Sequence, residues 1–296
     1  MFLVLYIFVS TFSRPVYDDF SNQFSEFYKS QLVSTQKSPP SEETLNRPVF
    51  ITAHGFGASP FEWSDFSDYM ASHTNALVSN VYLGGHDSLE KFSKARWEDW
   101  LNPICQEYQR LVNLGFETIY LCGCSTGSTL LIQGLLNNCF RPTLPLKHIF
   151  LIDSLVEPKQ KMIYWLPWIK PFIYDQTLML NHHEASHWLP YRPKESLTQL
   201  LRLIKKTKDD LNNGIPFPDH IKISLFQSKY DPVIDTISHS KLYQGLSKLV
   251  PRSIQCFTLH SYLHVFTRLS KRSHINSIDI DNQNFFFNHV KESMII

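Results

Sequence analysis

From residue 48 onwards, short apolar runs alternate with longer stretches in which apolar residues recur at helical spacing. The short runs are rich in β-branched and aromatic residues and predict buried strands at 49–53, 76–83, 118–121, 148–152, 221–226 and 253–259. Trp63, Phe66 and Met70 show the helical spacing, and Ser59 with Glu62 forms the pattern of a capping box before them. Strands that alternate with helices predict an α/β fold, with a mostly parallel central sheet flanked by helices.

Composition divides the chain into three parts. Residues 1–16 form an apolar N-terminal segment, residues 17–47 are expected to hold a helix and a polar linker, and residues 48–296 form the α/β domain. The apolar stretch at residues 2–12 has about half of the roughly 20 residues that a membrane-spanning helix needs. Three interpretations stay open for it: the end of a longer anchor, an interfacial segment that contacts a membrane, or a segment that packs on the domain.

Charge and cysteine content narrow the classes of function. The formal net charge is +1 over 296 residues, so the chain lacks the basic character that binding to nucleic acid requires.

The chain has 5 cysteines, an odd number, and Cys122 and Cys139 fall on apolar faces of predicted elements. These features predict buried free thiols in a reducing compartment, and so a cytoplasmic or membrane-associated protein.

Glycine is concentrated at the ends of three predicted strands. Six of the 10 glycines lie there. They are Gly55, Gly57, Gly84, Gly85, Gly123 and Gly127. In an open α/β sheet the carboxyl ends of the strands form the edge at which ligands bind. The glycines therefore indicate a site where the backbone approaches another group closely.

The last two of these glycines flank a serine, in the sequence Gly123-Cys124-Ser125-Thr126-Gly127. An apolar strand precedes this turn and an apolar helical pattern follows it, which is the context of the G-x-S-x-G nucleophile elbow. Such a turn leaves no room for side chains at its flanking positions, and glycine fits there. Ser125 is therefore the candidate nucleophile, with its Oγ next to the positive end of the following helix.

A serine nucleophile needs a base, and the base needs an acid that orients it. With this order of elements, the acid and the histidine follow the serine in the chain. Asp231, just past the strand at 221–226, is favoured as the acid over Asp153, which ends the strand at 148–152. His264, in the loop after the last strand, is favoured as the base over His260, which adjoins that strand and suits a structural role.

Two backbone amides are the candidate donors of an oxyanion hole. One belongs to Thr126, which follows the nucleophile, and the other to Phe56, in the loop after the first strand. No cofactor and no metal are expected. His183 and His187 have the spacing of a metal-binding pair on a helix, but a third ligand is not evident.

Five segments carry these features: HGFGASPFEW (54–63), YLGGHD (82–87), GCSTGS (123–128), SKYDPV (228–233) and SYLHVF (261–266). In this order and spacing they resemble the α/β-hydrolase fold superfamily, in its branch of serine carboxylesterases, monoacylglycerol lipases and serine aminopeptidases. The resemblance extends from residue 48 to the C-terminus. It implies Ser125 as nucleophile, Asp231 as acid, His264 as base, and the amides of Phe56 and Thr126 as oxyanion donors.

The resemblance also implies a lid at residues 157–219, after the strand that follows the elbow. The first half of this region is dense in aromatic rings, and residues 195–211 have the leucine spacing of an amphipathic helix. An aromatic lid suits an apolar acyl group. The expected activity is hydrolysis of a small apolar ester, such as an acylglycerol or a lysolipid, through an acyl-enzyme on Ser125. Acyl transfer, peptide cleavage and an inactive binding module stay open as alternatives.

Overall fold

A central parallel sheet organises the computed structural model, which describes residues 40–165, 176–177, 187–250 and 253–294. Its strands are β1 (Val49–Ala53), β2 (Leu77–Val81), β3 (Ile119–Cys124), β4 (Leu146–Ile152), β5 (Gln176–Thr177), β6 (Tyr191–Arg192), β7 (Lys222–Ser228) and β8 (Ile254–Leu259). Six of them form the parallel sheet in the spatial order β2-β1-β3-β4-β7-β8, and β5 pairs with β6 in antiparallel orientation. The predicted mostly parallel α/β sheet is confirmed.

Helices flank both faces of this sheet. They are α1 (Glu42–Leu45), α2 (Ser64–His73), α3 (Leu89–Lys94), α4 (Trp97–Leu114), α5 (Thr126–Leu136), α6 (Lys194–Asn213), α7 (Ile237–Ser247) and α8 (Ser277–Glu292). Short 3-10 helices lie at Pro60–Trp63 and Lys161–Trp165. Apolar residues of α2 and α8 pack on one face of the sheet, and those of α4, α5 and α7 pack on the other.

The inner strands are buried on both faces, so their side chains alternate between two hydrophobic clusters, whereas the edge strand β8 exposes Gln255, Cys256 and Thr258. In β1, Val49 and Ile51 belong to one cluster and Phe50 belongs to the other. In β4, the neighbours Ile149 and Phe150 divide in the same way. This division with a period of two residues explains why continuous apolar runs, rather than alternating ones, mark these strands in the sequence.

The strand order changes direction at β1, which has β2 on one side and β3 on the other. In parallel α/β sheets such a switch point opens a crevice outside the carboxyl ends of the strands, and ligands bind there. The loop after β1 and the turn after β3 both begin at this crevice. They contain the first and the third of the glycine pairs.

The second glycine pair has a packing role. Pro103 lies inside α4 and has no amide hydrogen to donate to the carbonyl of Asp99. That carbonyl faces Gly84, where a Cβ would lie 1.9 Å from Asp99 O. Gly85 has a φ of +75°, which glycine adopts readily. Gly84 therefore lets the turn after β2 approach the backbone of α4, and Gly85 lets it pass close to Lys91 of α3 and to Ala95.

The pairing of cysteines differs from the prediction. Cys105 in α4 and Cys139 after α5 form a disulfide, with their Cα atoms 5.0 Å apart. The prediction of free thiols was wrong for this pair, because α4 packs against α5 and brings the two positions together. Cys122 and Cys124 are buried free thiols, and Cys256 is an exposed one. Since disulfides persist in oxidising environments, the pair argues against the predicted reducing compartment.

The last helix begins earlier than the sequence predicts, at Ser277 rather than at residue 284. Asn276 caps it: the Asn276 side chain accepts from the amide of Asp279, and the Asp279 carboxylate accepts from the amide of Asn276. Ile278 and Ile280 are exposed in the first turns of α8. These turns therefore lack the buried apolar face from which the rest of the helix was predicted in the sequence.

The region predicted as a lid, residues 157–219, contains β5, β6 and α6. The predicted amphipathic helix corresponds to α6, which packs against α3, α5 and α7. Residues 166–175 and 178–186, including His183, lie outside the described residues, and the lid stays a prediction. Residues 1–39, with the apolar N-terminal segment, also lie outside them. Among the described helices, none combines the length and hydropathy that a bilayer crossing requires.

Candidate active site

Ser125 lies in the turn between β3 and α5. Its φ of 53° and ψ of −118° are sparsely populated for a residue with a side chain. A Cβ at Gly123 would lie 2.7 Å from Ser128 N, and a Cβ at Gly127 would lie 2.3 Å from Ala53 O. Both flanking positions therefore need glycine. The turn holds Ser125 at the carboxyl end of β3, directly before the N-terminus of α5.

Asp231 and His264 are in direct contact. The Nδ1 of His264 lies 2.7 Å from Asp231 Oδ2. Asp231 is fully buried, and its Oδ1 accepts from the amides of Val233 at 2.6 Å and Ile234 at 2.9 Å. A carboxylate only accepts hydrogen bonds, so Nδ1 carries the proton. The Nε2 of His264 is then the basic nitrogen of the ring.

The charges around His264 favour its protonated form. Burial alone would lower the pKa of the imidazole, but the hydrogen bond and charge of Asp231 outweigh it, with help from Asp153 and Glu62. The pKa of His264 therefore lies above the ordinary value of 6.5. The site thus stabilises the imidazolium that forms when a histidine takes a proton from a nucleophile.

The two alternative candidates occupy different positions. His260 is exposed, and its ring lies 5.8 Å from the ring of Tyr230. Asp153 is fully buried at the end of β4. One ligand atom each from Asp153, Asp231 and His264 lie within 4.8 Å of one another. The structure therefore brings two carboxylates, rather than one, to the same histidine.

The amides that the sequence nominates as oxyanion donors are available. Among the described residues, neither the Phe56 amide nor the Thr126 amide donates a hydrogen bond. Thr126 is the first residue of α5, where the helix offers its amides no acceptor. The ring of Phe56 packs against those of His86, Phe92 and Trp100, with centroids 4.9–6.5 Å apart. This packing fixes the loop that presents the Phe56 amide.

Glu62 holds the loop that follows β1. The sequence predicts a capping box from Ser59 and Glu62, but the Glu62 carboxylate accepts instead from the Gly55 amide at 2.7 Å and the Cys124 thiol at 3.0 Å. A Cβ on Gly55 would lie 3.4 Å from both Glu62 Oε2 and Ser125 Cβ. The buried carboxylate therefore borders the nucleophile turn as well as the loop. Nothing in the local sequence signals this role, because the capping pattern accounts for the same residue.

His54, the first residue after β1, anchors the same loop. Its Nε2 accepts from the Leu83 amide at 3.1 Å, so its Nδ1 carries the proton and donates to Gly55 O at 2.9 Å. Burial, and then the neighbouring His86, lower the pKa of His54 well below 6.5. The ring stays neutral near pH 7 and keeps both hydrogen bonds.

The described part of the predicted lid contacts the loops of the site. The Leu189 amide donates to Gly57 O over 2.8 Å. The guanidinium of Arg268 lies 4.8 Å from the ring centroid of Phe61 and 4.9 Å from that of Trp188. These contacts join the segment before α6 to the loops after β1 and β8.

Solved structures identify this architecture as the α/β-hydrolase fold. A structure from the study of LipS and LipT, two metagenome-derived lipolytic enzymes, has a TM-score of 0.62 at 15% identity, over 82% of this chain and 94% of that one. The monoacylglycerol lipase of Paleococcus ferrophilus has a TM-score of 0.61 at 11% identity, over 84% and 96%. A soluble variant of monoglyceride lipase from Saccharomyces cerevisiae has a TM-score of 0.59 at 10% identity, over 86% and 89%. No protein-family model and no curated protein matches the chain.

Proposed function

We propose that the protein is a serine hydrolase of carboxylic esters, of the carboxylesterase or monoacylglycerol-lipase type. The observation that carries this proposal is the 2.7 Å contact between His264 and Asp231, at the sheet edge where Ser125 occupies a strained turn. The three residues follow β8, β7 and β3, whose carboxyl ends share one edge of the parallel sheet. The fold is also that of structures named as lipolytic enzymes and monoacylglycerol lipases, which supports the same class.

In the first half of the proposed reaction, the Oγ of Ser125 attacks the carbonyl carbon of the ester and its proton passes to Nε2 of His264. Asp231 keeps the imidazolium oriented and offsets its charge. The carbonyl oxygen becomes an oxyanion that the amides of Phe56 and Thr126 bind, and one such donor contributes about 3 kcal/mol. The alcohol then leaves with the proton from His264, and the acyl group stays on Ser125.

In the second half, water replaces the alcohol. The Nε2 of His264 takes a proton from the water, and the water oxygen attacks the acyl carbonyl. A second oxyanion forms on the same two amides and collapses, which releases the carboxylic acid and returns the proton to Ser125. The proposed chemistry uses no cofactor and no metal.

The proposed substrate is a small apolar ester, such as an acylglycerol or a lysolipid. The near-neutral chain and the density of aromatic residues in the predicted lid support this class. Two of the described lid rings contact polar groups instead: the Tyr164 hydroxyl donates to Glu157 at 2.9 Å, and Trp188 packs on Arg268. Residues 166–175 lie outside the described residues, so the acyl site is proposed from composition.

Hydrolysis of p-nitrophenyl esters of increasing acyl length tests the proposal. The wild-type protein is expected to hydrolyse short and medium esters, and Ser125→Ala is expected to lower kcat by a factor on the order of 10⁶. Ser72→Ala is the matched control, because Ser72 lies on the exposed side of α2 and its Oγ donates to the carbonyl of Asp68 within the same helix. Retained turnover in a folded Ser125→Ala variant would contradict the mechanism.

The same assay separates the alternatives. Formation of a new ester when an alcohol is added would indicate acyl transfer, and cleavage of amide substrates would indicate a peptidase. A folded wild-type protein that hydrolyses no ester over the whole series would favour an inactive binding module.

A further inference from the structure

Asp153 is a second carboxylate beside the acid–base pair. It is fully buried, and one ligand atom each from Asp153, Asp231 and His264 lie within 4.8 Å of one another. A hydrogen bond from an imidazole nitrogen to a carboxylate spans about 2.8 Å, so a shift of no more than about 2 Å would bring a ring nitrogen of His264 into contact with Asp153. A rotation of the imidazole ring is a movement of this size.

The backbone holds Asp153 in an unusual conformation. Its φ of 41° is in the left-handed region, which residues with a side chain rarely adopt. The amide of Asp153 donates to Phe226 O in β7 over 2.9 Å. Backbone strain persists only where the surroundings enforce it, and it concentrates at functional sites. The chain bends at Asp153, directly after β4.

Three donors from the end of β7 hold the carboxylate of Asp153. Its Oδ1 accepts from Gln227 Nε2 at 2.8 Å and from the Ser228 amide at 2.6 Å. Its Oδ2 accepts from Ser228 Oγ at 2.7 Å. Gln227 and Ser228 lie a few residues before Asp231. Their hydrogen bonds to Asp153 therefore also hold the loop that contains Asp231 against the end of β4. An experiment must separate this structural tie from any effect on His264.

Two buried carboxylates beside one histidine do not ionise equally. Burial, and then the charge of Asp231, raise the pKa of Asp153 to about 8. Asp153 is therefore the carboxyl group of the pair that takes up a proton more readily than usual. Glu62 and Cys124 are the other titratable groups that act on this cluster. Loss of the charge on Asp231 would lower the pKa of Asp153 and favour its ionisation.

We propose that Asp153 is a reserve acid for His264, which ionises and accepts the Nδ1 hydrogen bond when Asp231 cannot. The proposal rests on the proposed function in one respect, namely that His264 serves as the base. In this proposal Asp153 acts through the imidazole of His264, so it is a positioning residue. The acid function is then shared between the loop after β4 and the loop after β7.

A double-mutant cycle on kcat tests this sharing. Replacing a triad acid by its amide lowers kcat by about 10⁴, because the amide holds the wrong imidazole tautomer. With a reserve acid, Asp231→Asn is expected to lower kcat by only about 10², and Asp231→Asn/Asp153→Asn by about 10⁴. Asp153→Asn alone keeps the shape of the side chain, and the factor by which it lowers kcat in the wild-type background is the reference for its effect in Asp231→Asn.

The same Asp153→Asn change is therefore expected to matter far more in the Asp231→Asn background than in the wild type. If Asp153 only holds the loop that contains Asp231, Asp153→Asn is expected to lower kcat by the same factor in both backgrounds. That result would overturn the proposal. Asp235→Asn is the matched control, because Asp235 is a partly exposed carboxylate in the same loop that pairs with Lys161. It is expected to have the same small effect in both backgrounds.

An NMR measurement of the Nδ1 proton of His264 gives a readout that does not depend on catalysis. The downfield signal of a histidine bonded to a carboxylate is expected to persist in Asp231→Asn and to vanish in Asp231→Asn/Asp153→Asn. Its loss in Asp231→Asn alone would overturn the proposal, and this result needs only the single variant. A persistent signal in a protein that hydrolyses no ester would keep the reserve acid and refute the proposed function.

Discussion

Glu62→Ala is expected to lower kcat while it leaves KM almost unchanged. The Glu62 carboxylate accepts from the Gly55 amide at 2.7 Å, one residue before the proposed oxyanion donor Phe56. It also accepts from the thiol of Cys124, one residue before the nucleophile Ser125. Without this carboxylate, the loop after β1 loses its direct link to the nucleophile turn.

The magnitude follows from two separate losses. A buried amide without an acceptor costs about 1–3 kcal/mol of folding free energy, and this loss appears as lower stability. Withdrawal of one oxyanion donor costs about 3 kcal/mol in the transition state. At about 1.4 kcal/mol for each tenfold change, kcat falls by about 10². Because the donor acts on charge that develops in the transition state, KM changes little.

Steady-state kinetics on a p-nitrophenyl ester, together with thermal unfolding, measures both losses. Glu62→Gln keeps an oxygen acceptor at the same place and is expected to retain most of the wild-type kcat. Glu107→Ala is the matched control, because Glu107 is buried too but bonds Ser79 and Arg110 away from the sheet edge. It is expected to lower stability without lowering kcat. Wild-type kcat in Glu62→Ala, or equal falls in both alanine variants, would refute this reasoning.

Two more predictions concern pH and the disulfide. The base must be neutral to accept a proton, and the pKa of His264 lies above 6.5. In a pH–rate profile, kcat/KM is therefore expected to fall towards acid pH with a midpoint above 6.5. A midpoint below 6.5 would contradict the pairing of His264 with Asp231. The Cys105–Cys139 disulfide joins residues 34 apart, so replacing both by serine is expected to lower the free energy of unfolding by about 4 kcal/mol in a denaturant titration. Dithiothreitol should destabilise the wild type equally and leave the double-serine variant unchanged; a wild type indifferent to reduction would argue against the disulfide.

The positions of the inner strands could be predicted because burial on both faces leaves an unbroken apolar run, as in β1. β1 was predicted with its observed bounds, and the predicted start of β8 differs by one residue. The parallel sheet then places the carboxyl ends of β1, β3, β7 and β8 at one edge. The candidate residues Phe56, Ser125, Asp231 and His264 were nominated from their positions after these strands, together with the G-x-S-x-G turn and the family resemblance.

The features that could not be predicted depend on contacts between distant segments. The spacing of Ser59 and Glu62 matches a capping box, and only the folded loop shows that the Gly55 amide competes for the carboxylate. In the same way, the closeness of Asp153 to Asp231 depends on the pairing of β4 with β7, which the sequence does not specify.

Labelling with a fluorophosphonate probe, followed by mass spectrometry of the peptides, tests the central claim most directly. The probe reacts with a serine that an adjacent base activates, so it reports on the nucleophile whatever the natural substrate is. A single adduct on Ser125 is expected in the wild-type protein, with none in Ser125→Ala and much slower labelling in His264→Ala. A folded wild-type protein that takes no label, or that takes it on another serine, would contradict the account.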